Sequence, residues 1–189
     1  SDEIADTYQR LDRDIAHFLS FLDAEIGNEN VLFLLTSDRG TGYTPEYLAQ
    51  NGIPSGEFDH RKMMAILKAY LNVVYGKGEW IQNYNAKQIY LNHQLIEDAK
   101  EDLHEMQERI ARFLIQFSGI ADAMPASIMQ KSSFTDGVNY MMQNSFHRQR
   151  SGDIIINLEP GWIEQTDKKV LQNSGYNYDV HVPLILYGW

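Results

Sequence analysis

The chain has 189 residues, no cysteine, a net charge of −10 and a hydrophobic fraction of 43%, a composition typical of a globular protein of one domain. The acidic excess and the lack of a basic stripe argue against nucleic acid as the main partner. Without cysteine, disulfides and thiolate zinc sites are excluded. No apolar run approaches the roughly 20 residues that a membrane helix needs, and the polar opening SDEIADTYQR lacks the apolar core of a secretory signal. We therefore expect neither a membrane segment nor a signal peptide in this chain.

The first two predicted elements are a helix and a strand. Apolar residues at spacings of three and four from Ile4 to Ile26 predict a long amphipathic helix. The apolar run of VLFLLTSDRG, residues 31–40, then predicts a buried parallel strand. Ligands of α/β sheets collect at the carboxyl ends of such strands, and Asp38 and Arg39 follow this strand directly. The alternative is that Asp38 only caps the turn that follows.

The rest of the chain mixes helices and strands. We predict a short helical turn near Tyr47, helices over residues 60–75, 95–117 and 137–146, and strands over residues 86–92, 153–158 and 182–187, the last of them buried. We interpret residues 41–150 as a largely helical excursion between core strands. This order of elements predicts an α/β fold.

Two polar patterns suggest sites but have simpler explanations. Glu101 and His104 have the spacing of a di-iron helix motif, but such a site needs a second copy, so we interpret the pair as a solvated helix face. Arg148, Arg150 and Asp153 predict an ion-paired turn, with anion binding as the alternative.

Five stretches together resemble a known family. In chain order they are LDRDIAHFLSFLD, NVLFLLTSDRG, IYLN, NSFHRQRSGDIIINLEPGW and YNYDVHVPLILYGW. They are similar to the C-terminal half of the bacterial phosphate-irrepressible alkaline phosphatases, in the alkaline phosphatase superfamily and allied to the type I phosphodiesterases and nucleotide pyrophosphatases. The resemblance implies one partial alkaline-phosphatase-like domain over residues 1–189. In it, a mixed and mostly parallel sheet is flanked by helices in an α/β/α sandwich.

The resemblance also implies a chemistry. Members of this family transfer phosphoryl groups with two zinc ions, which stabilise the attacking and leaving oxygens, and a Thr or Ser acts as the nucleophile. The nucleophile, one metal-binding Asp and an Asp-x-x-x-His pair precede the helix that opens this chain. Asp38 matches a family metal ligand. No catalytic residue of the family is therefore expected within these residues.

Two positions depart from the family pattern. Arg39 stands where the family has a histidine ligand next to the acid, and Gln172 falls where a later histidine ligand is expected. A guanidinium cannot ligate zinc, and a Gln oxygen binds it weakly compared with imidazole. We therefore expect no stoichiometric zinc in this chain, with Asp38 as a remaining metal ligand and Arg39 as a contact for substrate phosphate.

The functional hypothesis is the C-terminal part of a metal-dependent phosphatase or phosphodiesterase with degenerate metal ligands, inactive as this chain alone. The alternative is a non-catalytic relative that binds a phosphate ester or another small anion. By the same resemblance we expect the full protein to be periplasmic or otherwise exported.

Overall fold

The computed structural model describes residues 2–40, 42–165 and 174–188. The chain forms two compact units, one of Ser1–Asp38 with His181–Trp189 and one of Arg39–Val180. In chain order the elements are α1 (Asp2–Glu25), β1 (Phe33–Thr36), α2 (Pro45–Gln50), β2 (Gly56–Phe58), α3 (His60–Tyr75), β3 (Ile81–Asn85), β4 (Gln88–Leu91), α4 (His93–Asp98), α5 (Leu103–Leu114), β5 (Ile120–Pro125), α6 (Ala126–Lys131), α7 (Gly137–Ser145), β6 (Ile154–Leu158), β7 (Trp162–Glu164), α8 (Asn177–Val180) and β8 (Leu184–Tyr187). A single turn of 3-10 helix (Asn28–Asn30) joins α1 to β1.

The first unit contains α1 and the strand pair β1–β8. The predicted amphipathic helix is confirmed, and Phe18 on its apolar face contacts Phe33 of β1 edge-on, with ring centroids 6.1 Å apart. Even so, α1 buries none of its residues, and Phe18 is 49% exposed. Most of the apolar face of α1 is therefore exposed in this chain.

Both strands of this unit differ from the prediction. They run antiparallel, with Phe33 opposite Tyr187 and Thr36 opposite Leu184. All four residues of β8 are exposed, and β1 alternates between half-buried and exposed positions. The prediction of a buried parallel strand at β1 and a buried strand at β8 is therefore wrong for this chain. One helix and two strands cannot cover both faces of a sheet, so an apolar sequence here does not lead to burial.

The second unit is built on a four-stranded antiparallel sheet of order β3-β4-β6-β5 and a separate parallel pair, β2–β7. The predicted α/β class is confirmed, with mixed strand pairing. In the described residues β2–β7 is the parallel pair and the other pairs are antiparallel. Antiparallel neighbours need only a short connection, as in the turn between β3 and β4. Within residues 41–150, strands β2–β5 alternate with helices α2–α7.

Helices α3 and α5 pack with the four-stranded sheet into one hydrophobic core. The fully buried side chains come from α3 (Met63, Leu67, Leu71), α5 (Met106, Ile110, Leu114), β4 (Ile89) and β6 (Ile154). Tyr70 of α3 and Phe113 of α5 stack with ring centroids 4.1 Å apart, so the two helices also contact each other. The apolar stripes predicted for residues 60–75 and for the C-terminal part of 95–117 are thus core-facing, as expected.

The long helix predicted over residues 95–117 is wrong, because it is two helices. Between α4 and α5, Lys100 adopts a left-handed conformation with φ of 58°, which a continuous helix cannot accommodate. Asp102 then caps α5 by accepting a hydrogen bond from the backbone N–H of Glu105 at 2.7 Å. Glu101 therefore lies outside α5, and both it and His104 are exposed, as the interpretation of a solvated face expected. Among the described residues, no helix combines the length and apolarity needed to cross a bilayer.

Candidate functional site

Asp38 and Arg39 lie just beyond the end of a strand, as predicted from the sequence. Asp38 is two residues past the end of β1, and the side chains of both residues are exposed. Their assignment as metal ligand and phosphate contact remains a prediction.

Gly40 fixes the segment that follows Arg39. Its backbone N–H donates a hydrogen bond of 2.6 Å to the carbonyl oxygen of Asp179 in α8. A Cβ at this position would collide with the carbonyl oxygen of Tyr178, so only glycine allows so close an approach. The segment after β1 is thereby joined to α8. Gln172 itself lies outside the described residues.

The Gly40→Ala variant tests this contact between Gly40 and α8. The added methyl group is expected to break the hydrogen bond between Gly40 and Asp179 and to cost about 1–3 kcal/mol of stability, the usual cost of overpacking. Hydrogen exchange should accelerate at the backbone amides of α8, while the amides of α3 serve as the internal control. Equal exchange at α8 in both proteins would show that the close approach is not a constraint.

A large cavity of about 680 Å³, lined in part by Asp179, lies within the second unit. Its volume is that of a typical small-molecule site. Its wall is mainly apolar and aromatic, with a few ionisable groups. We call it the aromatic cavity; the side chains on which its chemistry depends are Tyr43, Leu48, Lys87, Trp162, Tyr178 and Asp179.

Asp179 is the most buried charged group of the aromatic cavity, at 4% exposure. Its Oδ2 accepts hydrogen bonds from the backbone N–H of Ser174 at 2.9 Å and from the Ser174 hydroxyl at 2.6 Å. Its Oδ1 is buried and has no hydrogen-bond partner in the described part of the chain. An unsatisfied buried carboxylate oxygen is costly to stability.

Glu164, a second ionisable group of the cavity wall, belongs to a small network with Tyr84 and His60. Glu164 accepts a hydrogen bond of 2.8 Å from the Tyr84 hydroxyl, and the Tyr84 ring stacks on His60 with centroids 5.0 Å apart. Burial, followed by the negative charge of Glu164, raises the pKa of Tyr84, so this phenol stays protonated and continues to donate. Burial lowers the pKa of Lys87, although Glu164 and Asp179 partly oppose this.

A separate polar network, centred on Asp153, was not anticipated. Asp153 is 8% exposed, and its carboxylate accepts hydrogen bonds from the backbone N–H of Leu91 at 2.8 Å and the side chain of Gln107 at 2.9 Å. His93 Nε2 lies 2.8 Å from it. The predicted ion-paired turn with Arg148 and Arg150 is therefore wrong, because Asp153 is used instead to join β4, α4 and α5.

The donor set at Asp38 does not by itself fit a zinc ion. A zinc centre needs about four ligands, three of them from protein even where water completes the set. Asp38 supplies a carboxylate, but the adjacent guanidinium of Arg39 has no lone pair to offer and its charge opposes a dication. Throughout residues 2–40, 42–165 and 174–188, no group of three or more histidine, aspartate or glutamate side chains could hold a metal ion.

The fold of the chain is that of an alkaline phosphatase. The crystal structure of the wild-type alkaline phosphatase PafA superposes with a TM-score of 0.87 at 27% identity, covering 100% of this chain and 36% of that one. A mutant of the same enzyme gives the same TM-score at 28% identity. Residues 1–179 match the profile of the type I phosphodiesterase / nucleotide pyrophosphatase family. The chain belongs to this family, which confirms the resemblance.

Curated relatives agree over the full length of the chain. They include a protein named calcium-transporting ATPase from Myroides odoratus, 33% identical, and the alkaline phosphatase PafA from Elizabethkingia meningoseptica, 30% identical. The alkaline phosphatase PhoV from Synechococcus elongatus is 27% identical. The match covers 100% of this chain but 34–35% of each relative. The chain therefore spans about a third of the length of these relatives.

Proposed function

We propose that this chain is the C-terminal part of a phosphatase or phosphodiesterase whose metal site is reduced, and that it does not hydrolyse phosphate esters on its own. One observation carries the proposal: Arg39 follows Asp38 at the end of β1, where the family resemblance places a histidine ligand. Gln172 at the second histidine position points the same way. The residues that the resemblance implies for nucleophilic attack precede α1.

Arg39 supports phosphate binding rather than metal binding. A guanidinium offers donors in a planar fork that matches two phosphate oxygens, so it can replace part of the charge stabilisation that a metal supplies. Its side chain is exposed, and the Gly40–Asp179 hydrogen bond anchors the backbone next to it. The ligand we propose is a phosphate ester or another small anion, not nucleic acid. Asp38 is the remaining candidate metal ligand, and zinc is the metal that the resemblance implies for the full protein.

A second proposal is a non-catalytic relative that keeps the fold and binds a phosphate-bearing ligand. The two departures from the family ligands, Arg39 and Gln172, favour it. In both proposals the full protein is exported to the periplasm or beyond, as the family resemblance implies.

Hydrolysis assays separate these proposals. The full-length protein, this chain alone and the full-length Arg39→His/Gln172→His variant are given para-nitrophenyl phosphate and bis(para-nitrophenyl) phosphate with added zinc. We expect no turnover by the chain alone and higher turnover by the double variant than by the full-length protein. Turnover by the chain alone would contradict the proposal. Turnover by the full-length protein that the double variant does not exceed would show that Arg39 and Gln172 are not lost ligands.

A further inference from the structure

We propose that a second cavity, bordered by β4, α4, α5 and α6, binds a small oxyanion that also carries hydroxyl groups, such as a sugar phosphate or a sugar acid. This polar cavity has a volume of about 700 Å³, which suits a small molecule. It shares no lining residue with the aromatic cavity or with the segment of Asp38 and Arg39, so the inference goes beyond the proposed function. The wall residues that determine the ligand class are Gln82, His93, Gln130, Arg148 and Gln149.

His93 lines the polar cavity with its ring held in one orientation. Its Nε2 lies 2.8 Å from Asp153 Oδ1, and an ionised carboxylate only accepts hydrogen bonds, so Nε2 carries the proton. The Leu91 N–H and the Gln107 side chain hold the same carboxylate in place. In the neutral ring Nδ1 is therefore an acceptor, and it has no hydrogen-bond partner in the described part of the chain. The His93 side chain is 61% exposed, which leaves the ring open to a ligand hydroxyl.

Arg148 supplies the positive charge of the polar cavity. It is exposed, and within the described ranges it forms no ion pair. Asp153, the carboxylate that the described residues contribute to this wall, is already engaged by three donors of the protein. A guanidinium fork matches two oxygens of a phosphate or of a carboxylate. The wall therefore favours an oxyanion, although the chain as a whole has a net charge of −10.

The turn that carries Arg148 is fixed by its own hydrogen bonds. The backbone N–H of His147 donates to Ser151 Oγ at 2.9 Å, and the His147 carbonyl oxygen accepts from the backbone N–H of Ser151 at 2.8 Å. Gly152 ties the turn to β4, since its N–H donates to Gln88 Oε1 at 2.7 Å. The backbone of Arg148 is thus ordered before a ligand binds, which lowers the entropy cost of binding.

The remaining polar wall suits hydroxyl groups. Gln82, Gln130 and Gln149 contribute exposed side-chain amides, and none of these amides hydrogen bonds to another residue that the structure describes. A primary amide both donates and accepts, and so does a hydroxyl, so the two groups are complementary. A bare anion would leave these amides and His93 unused, and a neutral sugar would leave Arg148 without a counter-charge. A hydroxylated oxyanion uses both parts of the wall.

Titration calorimetry on this chain tests the proposal with four probes: glucose 6-phosphate, gluconate, glucose and inorganic phosphate. The first two combine hydroxyl groups with an oxyanion, which is a phosphate in one and a carboxylate in the other. We expect at least one of them to bind about tenfold or more tightly than glucose and than inorganic phosphate, as hydrogen bonds to a charged group allow. If only one of them binds, its oxyanion identifies the source of the charge.

The variant Arg148→Gln is matched with Arg150→Gln in the same turn, because Arg150 is also exposed but does not line the cavity. We expect Arg148→Gln to weaken the tighter oxyanion probe at least about tenfold and to leave glucose binding unchanged. Arg150→Gln should bind as the unmodified chain does. His93→Phe keeps the ring but removes its nitrogens, and it should weaken the same probe about three- to tenfold. Circular dichroism verifies that each variant is folded.

Four results would each overturn the proposal. They are no binding of either oxyanion probe, inorganic phosphate binding as tightly as both, equal affinities of Arg148→Gln and Arg150→Gln, and unchanged binding by folded His93→Phe. Arg39 is the same in every protein compared, and no hydrolysis is measured, so these results leave the proposed function of Asp38 and Arg39 unaffected.

Discussion

Replacing Leu67 by alanine is expected to lower the free energy of unfolding by about 2–5 kcal/mol. Leu67 lies in α3, is completely buried and belongs to the core that α3 and α5 form with the sheet. The substitution removes buried apolar surface and leaves a cavity, because neighbouring side chains relax only partly. Urea denaturation of this chain, followed by circular dichroism, measures the change.

The matched control is Val73→Ala in the same helix. Val73 is 86% exposed, so its truncation removes almost no buried surface, and the better helix propensity of alanine offsets the small loss. We expect a change within about 0.5 kcal/mol. Equal effects of the two substitutions would contradict the assignment of the core to this face of α3.

The Asp153→Ala variant is expected to lose about 2–4 kcal/mol of stability, since it removes a buried acceptor and leaves the Leu91 N–H and the Gln107 amide without their partner. The loss should exceed that of one exposed hydrogen bond because Asp153 joins three elements of the second unit. Urea denaturation measures the stability, and hydrogen exchange at Leu91 reports the freed donor.

Asp98→Ala is the control for this prediction. Asp98 is an exposed residue of α4 that accepts a hydrogen bond of 3.0 Å from Gln94, so its loss should cost at most about 0.5 kcal/mol. If Asp153→Ala is no more destabilising than Asp98→Ala, the buried network does not hold β4, α4 and α5 together.

Elements with a complete local signal could be predicted from the sequence. Helix α3 begins and ends where its apolar periodicity does, because Asp59 caps its first turn and Gly76 follows its last residue. The break between α4 and α5 was missed because the apolar stripe continues in phase across it. What interrupts the helix is the backbone of Lys100, which periodicity does not report.

The missed strands lack a local signal. Strand β5 has the sequence IADAMP, in which small and polar residues interrupt the apolar alternation. It forms a strand because it pairs with β6. Strand β7 is three residues long and is paired with β2, about a hundred positions away. Such pairings depend on tertiary structure, so a single sequence contains little information about them.

The candidate site was predictable only in part. Asp38 and Arg39 could be placed at the end of a strand because the apolar run ends just before them. The cavity could not be predicted, since residues near Tyr43, Trp162 and Asp179 meet only in the folded chain. Gly40 is the sequence feature that reflects this arrangement, because the close approach of α8 leaves room only for glycine at position 40.

We propose that Arg39 and Gln172 leave the full protein with an incomplete zinc site. The most direct measurement is the zinc content of the full-length protein by mass spectrometry, after equilibration with zinc and removal of the free ion, compared with the Arg39→His/Gln172→His variant. We expect fewer zinc ions in the unmodified protein than the two of a paired site. The zinc content should increase in the double variant, because imidazole replaces groups that bind zinc poorly or not at all. Two zinc ions in the unmodified protein, with no increase in the variant, would contradict this proposal.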